Sequence, residues 1–156
     1  MEILSKFRHY IFNSFREFFV YHYSSLNFRA QIFALVIGVN PNAKLDNFLV
    51  VKQVAMQIYN NDEQRANVLL FSTKEIVNAI RENTLQIDAL INKIQRELKH
   101  TPRYAKKIDV ESLRPILSFT YDEDIFLYQQ NILEFLDTIK KETLQQIQNK
   151  KKRKLK

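Results

Sequence analysis

Asp122, Glu123 and Asp124 stand side by side, and three adjacent carboxylates offer oxygen ligands of the kind that hold a hard cation such as calcium or magnesium. They also open an amphipathic segment, where acids complement the positive end of a helix dipole. The second reading is the stronger, so no metal is expected. His9, His22 and His100 are scattered, without an HExxH pair, and no cysteine is present to complete a His/Cys site or to act as a thiol nucleophile. One glycine, Gly38, rules out a P-loop or a dinucleotide fingerprint, each of which needs several. No catalytic constellation stands out. The chain reads as a non-enzyme with neither cofactor nor small-molecule substrate.

Basic residues are the other chemistry on offer. Lys150, Lys151, Lys152, Arg153, Lys154 and Lys156 carry six of the net seven positive charges with no acid among them, which leaves residues 1–149 at +1. The tail is expected to be disordered and solvated, with anionic lipid or nucleic acid as its alternatives. Between Lys99 and Lys107, the cations Lys99, Arg103, Lys106 and Lys107 surround Tyr104 and Pro102, a loose match to phosphate binding on an irregular loop.

The elements that must position these groups read as helices. A single glycine and three prolines are too few for an all-β chain of 156 residues, a length that suits one domain. Residues 3 to 21 repeat Phe7, Ile11, Phe15 and Phe18 at helical spacing, an aromatic face that could pack on the domain, lie in a membrane plane or meet a partner helix. Ser24, Ser25 and Asn27 are expected to end this helix and cap the next. Phe28 to Tyr59 then forms the organising stretch, two apolar segments around Asn40-Pro41-Asn42-Ala43-Lys44, read as a tight helical hairpin. The polar run Asn60 to Gln64 precedes a stripe that continues to Leu98 as one helix or two. Asp109 is a cap for a helix at Val110, with Pro115 inside it or in its first turn. Thr120-Tyr121-Asp122-Glu123 matches a capping box, followed by a buried face of Ile125, Tyr128, Ile132, Phe135, Leu136 and Ile139.

No secretory signal is evident, and the best membrane-span candidate, Phe18 to Val39, is interrupted by polar residues. A cytoplasmic protein is expected, placed at the inner face of the membrane if the aromatic helix is an anchor.

The central stretch resembles the TerB-like family, named for tellurite resistance. The resemblance rests on Phe33-Ala34-Leu35-Val36-Ile37-Gly38-Val39, on Val50 through Tyr59, and on the connection Asn60 to Asn67. It covers Phe28 to Ile80, and Leu113 to Leu136 in outline. It implies a small all-helical domain, found alone or ahead of a J-domain in membrane-associated co-chaperones. The family's Asp-Gly turn with following acids, linked to metal binding, is here Asn40 to Lys44 with Asp46 alone nearby. There is no His-Pro-Asp motif. The expectation is an all-α bundle of about seven helices, divided as an N-terminal helix (1–25), a TerB-like domain (26–147) and a basic tail (148–156). Its expected role is interaction or scaffolding with a protein partner, near a membrane and tied to stress or chaperone systems. The alternative is nucleic-acid binding through the tail and the 99–107 segment.

Overall fold

The computed structural model describes residues 16–156, with side chains from residue 25 onward. Among the described residues the fold is all-helical: α1 (Arg16–Gly38), α2 (Leu45–Ile58), α3 (Glu63–Arg81), α4 (Ile87–His100), a 3₁₀ segment (Pro102–Lys107), α5 (Val110–Leu117) and α6 (Glu123–Lys154). No helix among them is long and apolar enough to cross a membrane.

α1 is the axis. Every residue from Ala30 to Ile37 is buried, the mark of a helix surrounded on all sides rather than laid on a surface. Its main packing partner is α3, and α4, α5, α6 and the 3₁₀ segment close around it. Gly38 sits at the crossing with α3: a β-carbon there would come 2.5 Å from Ile80 Cδ1, so the one glycine permits the close approach. The expected hairpin is corrected here. α1 and α2 part after the turn, and each packs on α3 instead of mainly on the other. Nor does α1 begin at Ser24–Asn27. The helix runs through these residues unbroken, because Leu26 and Phe28 belong to the core face and a potential cap loses to continued burial.

The turns follow from side-chain chemistry. Asn40 Oδ1 accepts from the Asn42 N–H at 2.9 Å, and the Asn40 carbonyl accepts from the Ala43 N–H at 3.2 Å, with Pro41 supplying the fixed φ between them. The Arg81 guanidinium donates to the Ala43 carbonyl and ties this turn to the end of α3. Asn60 and Asn61 both take positive φ, which asparagine tolerates, and Asp62 caps α3 by accepting from the Arg65 N–H at 3.2 Å. The stripe from Glu63 onward is two helices, divided where Asn83 turns left-handed and the Thr84 N–H returns to the Ala79 carbonyl.

Asp109 caps α5 as expected, and Pro115 lies inside that helix. The capping box at Thr120 does not form. Asp122 caps α6 by accepting from the Ile125 N–H at 3.0 Å, while the Thr120 hydroxyl donates to Gln129 Oε1 at 2.6 Å. Tyr128, expected inside, is 46% exposed, and Gln129 takes the fully buried position beside it.

The C-terminus corrects a further expectation. α6 is 32 residues, about 48 Å, and stays helical through Lys154 instead of ending in a disordered tail. Lysine, arginine and glutamine are good helix formers, and cations in a last turn face the negative end of the dipole. Once residues 123–147 are nucleated by packing, extending the helix is far easier than starting one.

Candidate anion-binding surface

The cations singled out in the sequence fall into two groups. Lys150, Lys151, Lys152, Arg153, Lys154 and Lys156 are exposed at the end of α6, on every side of the helix rather than along one face. Lys99 and His100 end α4, and Arg103, Lys106 and Lys107 ride on the 3₁₀ segment, which is regular where an irregular loop was expected. Pro102 starts that segment. Tyr104, expected to interleave with the cations as a ligand contact, instead faces inward: it is 5% exposed and its ring lies 5.2 Å from that of Phe28. Arg103, Lys106 and Lys107 are thereby presented on a short element anchored by Tyr104 and Ala105, with the Ile108 carbonyl accepting from Lys140 Nζ at 2.6 Å.

Sequence reasoning missed Arg29. It is a lone charge in an apolar run, half-buried on α1, and the fold brings Lys107 beside it. Burial pushes Lys107 below the ordinary lysine range, and the nearby Arg29 and Arg103 push it further. Burial raises Tyr59, the C-cap of α2, while Arg29 and Arg65 pull it partly back, so its phenol stays protonated at neutral pH. Asp109 shares a small cavity with Arg29 and Lys107. Its oxygens are engaged by the Ser112 hydroxyl at 2.5 Å and the Ser112 N–H at 3.4 Å; these bonds and Lys140 hold it below the usual carboxylate range.

A second cleft, about 510 Å³, lies between α4 and the 3₁₀ segment and is lined by Lys93, Arg96, Glu97, His100, Arg103 and Tyr104 among others. Beneath it Gln31 is 1% exposed, and neither atom of its amide makes a hydrogen bond, nor does Glu97 Oε2. Burial raises Glu97 above its ordinary value, with the charges of Lys93 and Arg96 pulling partly back. A carboxyl whose folded value is raised favours the protonated form, so its contribution to stability is lost as pH rises through the carboxylate range. Glu97→Gln therefore flattens this part of the pH profile and raises the melting temperature at pH 7 relative to pH 4, read by thermal denaturation across that interval. A wild-type profile matched by the variant would show that Glu97 is not the titrating group.

The acids Asp122, Glu123 and Asp124 occupy the N-cap and first turn of α6, as dipole complements do. Among the described residues no group of three or more His, Cys, Asp or Glu is arranged to hold a metal ion. Phe7, Ile11 and Phe15 lie outside the described residues. Phe18 falls in the first turn of α1, where only the backbone is described.

Comparisons with protein-family models, with curated proteins and with solved structures return no match.

Proposed function

We propose that the protein is a non-enzymatic interaction module of the TerB-like kind, working at an anionic membrane surface through the cationic end of α6. One observation supports this reading above the rest: Lys150, Lys151, Lys152, Arg153 and Lys154 are all exposed and all held in helix. Five cations are thus confined to about 7 Å of helix axis. Each basic residue near an anionic leaflet contributes about 1 kcal/mol, so the set reaches about 5 kcal/mol, enough for reversible contact and too little for permanent anchoring. Charge all round the helix, with no apolar face in these turns, makes the contact electrostatic and salt-sensitive. The anionic cytoplasmic leaflet fits such a surface. The resemblance around Phe33–Tyr59 supports a link to stress-response or J-domain systems, with a second protein as the scaffolded partner.

Pelleting with vesicles of 30% phosphatidylserine, against phosphatidylcholine alone, tests the reading. The protein binds the anionic vesicles, and binding falls at least tenfold when Lys150, Lys151, Lys152, Arg153 and Lys154 are all changed to glutamine. Binding that survives these changes, or salt-steep DNA binding in its place, overturns it.

A further inference from the structure

We propose that the cleft at the start of α6 receives the cationic end of α6 from a second copy of this chain, so that two copies pair with these helices antiparallel. The pairing draws on the same cations as the membrane contact proposed above but requires no membrane.

The cleft lies where the Asn40–Lys44 turn and the start of α2 meet the α5–α6 connection. It is about 270 Å³, and its walls include Lys44, Asp46, Asn47, Phe119, Tyr121 and Asp122. Small-molecule sites run to roughly 300–1,000 Å³, so this one suits a side chain. Asn47 identifies the kind of group that enters. It is 2% exposed, its Nδ2 donates to the Lys44 carbonyl at 3.3 Å, and its Oδ1 has no partner. A carbonyl only accepts, which fixes the end of the amide that faces it. The missing partner is therefore a donor.

Charge narrows the donor to a cation. Among the described residues neither Asp46 nor Asp122 has an ion-pair partner, and Asp122 commits one oxygen to the Ile125 N–H. Two carboxylates fall short of the roughly six to eight oxygens that surround calcium. An ammonium or guanidinium needs only the acceptors present, and aromatic side chains such as Phe119 and Tyr121 favour it. Lys44, the one cation in the lining, is exposed on a flexible stem able to swing aside.

The occupant is matched by both charge and apolar surface. From Gln148 onward every residue is exposed, so the last turns of α6 project past the domain. They carry Lys150, Lys151, Lys152, Arg153 and Lys154, followed by Leu155, an apolar side chain almost fully exposed. Beside the cleft, Glu123 and Asp124 add negative charge, while Leu45, Leu49 and Tyr121 leave apolar surface open. The cationic end cannot reach the cleft of its own chain, because about 48 Å of helix separates them. In a second copy laid antiparallel, the same length brings both ends together at once. Each cleft then meets the other copy's cationic end across a two-fold axis, and the assembly closes at two.

Sedimentation equilibrium on the full chain tests this. The native chain forms dimers, and Asp46→Asn combined with Asp122→Asn weakens them tenfold or more. Asparagine caps a helix about as well as aspartate, so α6 keeps its start. Changing Lys150, Lys151, Lys152, Arg153 and Lys154 to glutamine has the same effect. Mixing these two variants restores a weaker dimer, because one intact cleft then meets one intact cationic end. Leu155→Asp, outside the core, also weakens the native dimer and carries the test should the double substitution disturb folding. The asparagine variant keeps its cationic end and still pellets with anionic vesicles, so failure of the pairing and failure of the membrane contact are read separately. A native chain that stays monomeric, a dimer indifferent to the substitutions at Asp46 and Asp122, or no recovery on mixing overturns the proposal.

Discussion

Phe28→Ala lowers the free energy of unfolding by about 3–5 kcal/mol, the range for emptying a fully buried phenyl site. Phe28 is 0% exposed, on the axial helix, at the point where the 3₁₀ segment leans against α1 through Tyr104. The tilted pair, with planes 35° apart, adds about 0.5–1.5 kcal/mol beyond area burial, so part of the loss is specific to the ring. Domains of this size are stable by about 5–15 kcal/mol, so the variant forfeits a large share of the total. Phe28→Leu keeps most of the volume and costs less than half as much. Urea titrations of the three proteins, read by helical circular dichroism, check this. A loss under about 1.5 kcal/mol for the alanine variant would mean that the site collapses without consequence and that α1 is not the axis of the core.

That axis was legible in the sequence because apolar residues on every face of a helix leave few other places to put it, and Ala30 to Ile37 satisfies the pattern. The cap at Asp109 was legible for a similar reason: it follows a polar break and precedes an apolar stripe, whereas within the polar run Asn60 to Gln64 the capping residue, Asp62, was not singled out. What could not be read was the choice between competing local devices. Thr120 and Asp122 can each cap a helix from the same tetrapeptide, and the outcome turned on Gln129, whose amide captures the threonine hydroxyl. Ser24 to Asn27 looked like a break because hydroxyl and amide side chains favour caps, yet Leu26 and Phe28 gain more by staying helical. The end of α6 looked disordered by composition, which cannot register a helix already nucleated upstream. Half of the candidate surface was visible as basic residues from Lys99 to Lys107. Arg29 was not, since its significance lies wholly in a neighbour brought near by folding.

Gln129→Leu is expected to cost about 2–4 kcal/mol, a large effect for a change that keeps the residue's size and adds apolar surface. The reason lies at the end of α1. The last carbonyls of a helix have no partner within it. Here the Asn40 N–H turns to the Ile37 carbonyl at 3.0 Å, and the Val36 carbonyl accepts from Gln129 Nε2 at 2.9 Å instead. The other end of the same amide accepts from Thr120, which in turn accepts from Asn40 Nδ2 at 3.4 Å, so one side chain on α6 holds the end of α1, the following turn and the α5–α6 connection. Leucine leaves the buried Val36 carbonyl without a partner and the Thr120 hydroxyl without an acceptor, losses worth about 1–3 kcal/mol each. Thr120→Val removes one end of the chain only and costs about 1 kcal/mol, and the double variant loses less than the sum, because the two residues share a bond. A double-mutant cycle by chemical denaturation measures that coupling. Strict additivity would mean that Gln129 and Thr120 act separately and that packing alone, without the amide, fastens α6 to the axial helix.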